Sequence, residues 1–347
     1  VVENFPGTPE AKRALTGIKN IYMEMSDVES YVAYINTLGE YANVKSSERD
    51  SLMYKAAENI YLQNDCKKAA NKFEKYLNQF PAGAFTVNAN FYLGDCLFQQ
   101  GKYDDALEPL KNVIDAPRNP FTEQALISAS VINMENENFE AAAGKFEQLI
   151  MYAEIPENVL KAKIGLTRAY YRSGNFDKAT EAALDLIKTE NLPIALLREA
   201  RFIIAKSSFA NENLNLALEN FARVASEVKS KEGAESKFRL AEIYYMKNNL
   251  DKAEEEIFDF IDKNSPQQYW LARAFILLAD VYVSKEDDFQ AIHTLQSILD
   301  FYGNEDDEIL ESARQKKRQL LEKEKVKEQM NENEDMEIRV EKNTSEK

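Results

Sequence analysis

The residues able to do covalent chemistry are few. The chain has 347 residues, one histidine, His293, and two cysteines, Cys66 and Cys96. A Ser-His-Asp triad would have to use His293, and nothing near it supplies a nucleophile; zinc motifs that need two histidines are excluded. Neither a glycine-rich phosphate loop nor a paired-cysteine cluster occurs. We therefore expect no enzyme, no metal and no cofactor, and His293 reads as a surface helix residue. What remains is charge. Lys161, Arg168 and Arg172 follow one another at spacings of seven and four, which on a helix brings them to one face. Such a face can hold a carboxylate through charge-assisted and bidentate bonds. The alternative is that these cations pair with acidic neighbours in the chain itself.

A repeated phrase marks the elements that must position them. Gly101-Lys102-Tyr103-Asp104-Asp105-Ala106 returns as Gly174-Asn175-Phe176-Asp177-Lys178-Ala179, and more loosely at Asn138, Asn213 and Asn249. Its closing alanines fall at Ala69, Ala106, Ala142, Ala179, Ala217, Ala253 and Ala291, spaced 36 to 38 residues apart. A period near 37 signals a solenoid. Within one period, Phe91, Leu93, Gly94, Leu97 and Phe98 recur at helical spacing, Gly101 stops that helix, and Leu107, Leu110, Val113 and Ile114 mark a second. The alanine sits where the two helices would come closest, so a larger side chain would push them apart. Pro109 falls inside the second helix, near its start on this reading, where it should cost a hydrogen bond or kink the helix.

These residues resemble the tetratricopeptide repeat. The large-then-small pair of its first helix is matched by Leu93-Gly94, Ile204-Ala205, Leu240-Ala241 and Leu278-Ala279, and the following aromatic by Tyr170, Tyr244 and Tyr282. The second-helix pattern is matched by Ala69 with Phe73, Ala142 with Phe146, Ala217 with Phe221 and Ala253 with Ile257, and the terminal proline by Pro81. A more degenerate copy, with Ile18, Tyr22, Tyr31 and Ile35, precedes these. The resemblance implies an all-α, right-handed superhelical solenoid of about eight antiparallel helix hairpins over residues 9–310. Residues 1–8 would be the remnant of a preceding repeat, because Val1 to Pro6 reads like Leu77 to Pro81, and the chain is expected to begin inside a repeat. Residues 311–347 would form a charged helix and, beyond Glu328, a disordered tail. The added length falls between hairpins, as in Phe80-Pro81-Ala82-Gly83-Ala84. That linker resembles the bacterial cell-envelope branch of the family, including outer-membrane assembly and Tol–Pal-associated proteins. It implies a periplasmic or envelope location, with the cytoplasm as the alternative.

In this family first helices line a concave face, which implies two rows here. One is Tyr54, Phe91, Ile127, Ile164, Phe202, Phe238 and Ile276; the other is Met23, Tyr61, Phe98, Met134, Tyr171, Phe209 and Tyr245. Between them lies a charge register of Glu58, Asp95, Val131, Arg168, Lys206, Glu242 and Asp280. The expected peptide-binding set is Tyr61, Phe98, Lys161, Arg168, Tyr171, Arg172, Lys206 and Tyr245. The implied function is a protein–protein interaction scaffold that grips a peptide or protein with an acidic element. The alternative is a structural spacer or self-assembly segment, and either reading leaves an exposed apolar end at Ile18, Tyr22 and Ile35. The net charge of −16 repels phosphate backbones and argues against nucleic acid. No apolar run is long enough to span a membrane. Cys66 replaces Tyr103 and Phe176 of neighbouring repeats, so it is expected to be a small buried hydrophobe. The expectation is two free thiols, with a Cys66–Cys96 disulfide as the alternative.

Overall fold

The structure is a computed structural model and describes residues 1–303 and 308–345, with side chains up to Met330 except Glu328. The chain divides into two compact units, 1–175 and 176–347. The first contains α1 (Pro9–Glu24), α2 (Val28–Thr37), α3 (Ser46–Leu62), α4 (Cys66–Gln79), α5 (Thr86–Gln99), α6 (Tyr103–Asp115), α7 (Thr122–Glu135), α8 (Phe139–Tyr152) and α9 (Pro156–Arg172). The second contains α10 (Phe176–Leu186), α11 (Ile194–Ala210), α12 (Leu214–Val224), α13 (Lys231–Met246), α14 (Leu250–Asp262), α15 (Gln268–Ser284), α16 (Asp288–Phe301) and α17 (Ile309–Ser345). Among the described residues there is no strand. Each unit is a stack of helix hairpins, the all-α architecture that the repeat period predicts.

The repeated phrase is a helix stop fused to a helix start. Ser26, Asn64, Gly101, Glu137, Gly174, Glu212, Asn248 and Glu286 each adopt a left-handed backbone, with φ from +54° to +76°. The next N–H then donates back to the carbonyl five residues earlier, as from Lys102 to Leu97 and from Asp287 to Tyr282, both at 2.9 Å. This closes the first helix. Asp65, Asn213, Asn249 and Asp287 go on to cap the second helix by accepting a backbone N–H three residues later.

All seven alanines of the phrase are completely buried. A Cβ on Gly94 would stand 2.8 Å from Leu110 Cγ, and one on Gly165 only 2.2 Å from Phe146 Cζ, so both glycines mark close helix approach. The linker after α4 is tied down from below. Asp50 on α3 accepts the Tyr76 hydroxyl at 2.6 Å and the Ala84 N–H at 2.9 Å, while Tyr76 accepts the Phe85 N–H at 3.1 Å. Burial and the bond to Asp50 push the Tyr76 hydroxyl above the ordinary phenol range.

Two expectations need correction. Pro109 lies in the middle of α6, not near its start, with its ring buried. At the first hairpin Ile35 is buried and Ile18 and Tyr22 are half-buried, so the exposed apolar residues there are Ile21 and Met25. Helix α17 runs from Ile309 to Ser345; its Glu- and Lys-rich sequence has high intrinsic helix propensity. Nearer its start, α17 buries Ile309, Ala313 and Leu320 against α15 and α16. Lys316 pairs with Asp280, and Lys323 and Lys327 reach Asp288 at 3.1 and 3.0 Å. Among the described residues no helix is long and apolar enough to cross a membrane.

Candidate functional site: the first-helix face

The two aromatic rows have different fates. In the first, Tyr54, Phe91 and Phe238 are buried. Tyr54 stacks on Phe85 with centroids 4.4 Å apart, and Phe91 stacks on Phe121 at 4.5 Å. Ile127, Ile164, Phe202 and Ile276 of the same row are half-exposed. In the second row every member is half-exposed: Met23, Tyr61, Phe98, Met134 and Tyr171 in the first unit, Phe209 and Tyr245 in the second. The paired positions stand seven residues apart, as Tyr54 and Tyr61 or Phe91 and Phe98 do, which is about 20° around the helix axis, so the two rows share one face.

Cross-repeat hydrogen bonds hold this exposed row. The Tyr61 hydroxyl donates to Asp95 Oδ2 at 2.8 Å, and Gln99 Nε2 donates to the same oxygen at 2.6 Å. Burial, together with the bond to Asp95, raises the Tyr61 hydroxyl well above the usual phenol range, so it stays a donor. The Tyr245 and Ser284 hydroxyls lie 3.3 Å apart, making the same kind of bridge between α13 and α15. Asp95 of the charge register thus braces Tyr61.

The expected cations divide between the units. Lys161, Arg168 and Arg172 are exposed on α9 in the first. Arg172 comes within 3.9 Å of Glu137 and lies 4.9 Å from the Phe139 ring centre. In the second unit Lys206 pairs with the buried Glu235 and lies 5.7 Å from the Phe202 ring. For Arg172 and Lys206, pairing with acids of the chain itself is what the geometry shows. His293 packs edge-on to Phe289, centroids 4.3 Å apart.

Sequence reasoning missed an aromatic–guanidinium cluster in the second unit. Arg239 lies 5.1 Å from the Phe209 ring and pairs with Glu242. Arg273 lies 4.9 Å from Phe238 and 5.7 Å from Trp270, and donates to the Tyr269 hydroxyl at 3.3 Å. Arg273 borders a hollow of about 460 Å³ with Phe238, Glu242, Ile276, Leu277 and Asp280. A signal existed: Arg273 stands four residues after Tyr269 and three before Ile276, on the face those two residues share. Following the aromatic rows alone passes over the cation between them.

Residues 54–120 and 203–269 match the tetratricopeptide repeat model, so those segments are tetratricopeptide repeats, a fold that generally mediates protein–protein interaction. No curated protein matches the chain in sequence at a significant level. Among solved structures, a tetratricopeptide repeat protein from Parabacteroides merdae is 16% identical with a TM-score of 0.40, over 78% of this chain and 98% of its own. The Naa15/Naa10 complex bound to HypK-THB is 13% identical with a TM-score of 0.46, over 73% of this chain and 37% of the other. MamA is 16% identical with a TM-score of 0.44, over 52% of this chain and 92% of its own. At these identities the likeness concerns the fold alone.

Proposed function

We propose that this chain is a non-catalytic scaffold whose first-helix face grips a peptide or protein partner. The observation that carries this reading is the second aromatic row. It repeats at matching register in both units with every member half-exposed, whereas Tyr54, Phe91 and Phe238 of the row beside it are buried. Apolar side chains kept at the water boundary and braced by hydrogen bonds suit an apolar partner surface, because their geometry is set before binding. In the first unit Tyr61, Phe98 and Tyr171 supply apolar contact, and Lys161, Arg168 and Arg172 receive an acidic element. In the second, Tyr245 and Lys206 hold the corresponding positions; Lys206 would have to share itself between Glu235 and the partner.

The test begins with peptides selected against the whole chain from a random display library, their binding measured by titration calorimetry. Double reversal, Arg168→Glu with Arg172→Glu, is expected to weaken the selected peptides by about tenfold or more, equivalent to roughly 1.4 kcal/mol. Exposed charges on α9 contribute little to folding, so the thermal midpoint should hold. Equal binding by the reversed variant would remove the cationic half of the proposal.

A further inference from the structure

Successive seams repeat one pair of positions. The first is the residue that opens a second helix; the other lies in the last turn of the next first helix. The pairs are Tyr103 with Ile132, Phe139 with Ala169, Leu214 with Ile243 and Leu250 with Val281. At the seam between α4 and α5 both positions are cysteine, Cys66 and Cys96. Cys66 is half-exposed at the first residue of α4, contrary to the expectation of a buried hydrophobe, whereas Cys96 is completely buried. Both are free thiols. The Cys66 Sγ also donates to Gln99 Oε1 at 3.4 Å. Gln100 clamps the two segments, its Nε2 donating to the Cys66 carbonyl at 3.3 Å and the Cys96 carbonyl at 3.0 Å. One side-chain amide bonded to both carbonyls holds the two cysteines side by side across the seam, the arrangement from which an S–S bond of about 2.05 Å can close.

We propose that Cys66 and Cys96 are a redox modification site, closing to a disulfide that staples α4 to α5. The oxidant is a small-molecule disulfide such as oxidised glutathione. Cys66 loses its proton to water, and its thiolate attacks the oxidant, forming a mixed disulfide and expelling one glutathione thiolate. Cys96 then loses its proton and attacks the Cys66 sulfur, expelling the second glutathione thiolate. Two protein thiols are oxidised and one small disulfide is reduced to two thiols. Burial pushes the Cys96 thiol up, so the half-exposed Cys66 is the entry point and closure is the slower step. The staple sits beside the Tyr61–Asp95 bridge, since Asp95 adjoins Cys96.

The full chain, treated with oxidised glutathione and then alkylated, is mapped by mass spectrometry without reduction. The expected product is an intrachain Cys66–Cys96 cross-link that dithiothreitol reverses and that raises the thermal midpoint of its unit by roughly 5 °C. Cys96→Ser should instead stop at glutathione on Cys66. Stable glutathionylation of Cys66 in the unsubstituted chain, disulfides between chains only, or two unmodified thiols would each overturn the proposal. None of these readouts depends on partner binding, so the inference stands or falls apart from the scaffold reading.

Discussion

Glu212 sits at φ +59° in the turn between α11 and α12, a conformation that glycine adopts freely and glutamate does not. Its side chain is exposed, and only its backbone makes the turn, its N–H donating to Phe209 at 3.1 Å. Nothing in the side chain offsets the strain. Glu212→Gly is therefore expected to stabilise the protein by about 0.5–1 kcal/mol, the relief of left-handed strain minus the freedom that glycine adds to the unfolded chain. A shift of the urea midpoint to higher concentration at unchanged slope checks this, and a lower midpoint would contradict it. The same position explains an uneven legibility. Gly101 and Gly174 announce their turns in the sequence, because glycine is the usual residue for that backbone. Glu137, Glu212 and Glu286 announce nothing, because there the packed hairpin imposes the conformation on a residue that resists it.

Helices α13 and α14 are joined through Lys237, whose side chain is buried and pairs with Glu256 and Asp259. Burial alone would lower the lysine, but hydrogen bonds to Asp259 and Glu256 outweigh it and hold Lys237 above its ordinary value of 10.5. The hydrogen bond from Lys237, with a second from Lys263, holds Asp259 below its ordinary 3.8. Linkage fixes the signs. The Asp259 contribution is present above pH 3.8 and lost as pH falls through the depressed folded value. The Lys237 contribution is present below pH 10.5 and lost as pH rises through the raised folded value. Thermal midpoints recorded by circular dichroism from acid to alkali should decline at both ends, and Lys237→Met should flatten both declines. Curves of identical shape would show that other groups govern them. Such pairings lay beyond the sequence reading because they depend on how one helix rotates against the next. Lys237 precedes the first-row residue Phe238 by one position, about 100° around the helix, and faces α14. Lys206, four residues after the first-row Phe202, carries the same charge and is half-exposed.

Each unit as a whole is held by near neighbours. In the first, the substantial contacts of every helix are with its sequence neighbours and the helix two further on. The sequence showed this much through the repeat period, which places each hairpin against the next. It did not show the division at residue 175, since the alanine spacing passes through that point unchanged. Stability in such a stack should be local, and Gly165 offers a way to measure it. A methyl group there would meet the Phe146 ring well inside contact distance. Gly165→Ala gains up to about 1 kcal/mol of helix propensity, but overpacking a filled seam costs about 1–3 kcal/mol. The clash reaches three atoms of one ring, so the net effect is expected to be destabilising. Hydrogen exchange should then quicken in α8 and α9 while α1 to α4 keep their protection, because no substantial contact links those elements directly. Adding Phe146→Leu should make room for the methyl group and restore slow exchange in α9. Uniform loss of protection from α1 to α9 would instead mean that the unit opens as one cooperative body, with seam strain spreading along the whole stack.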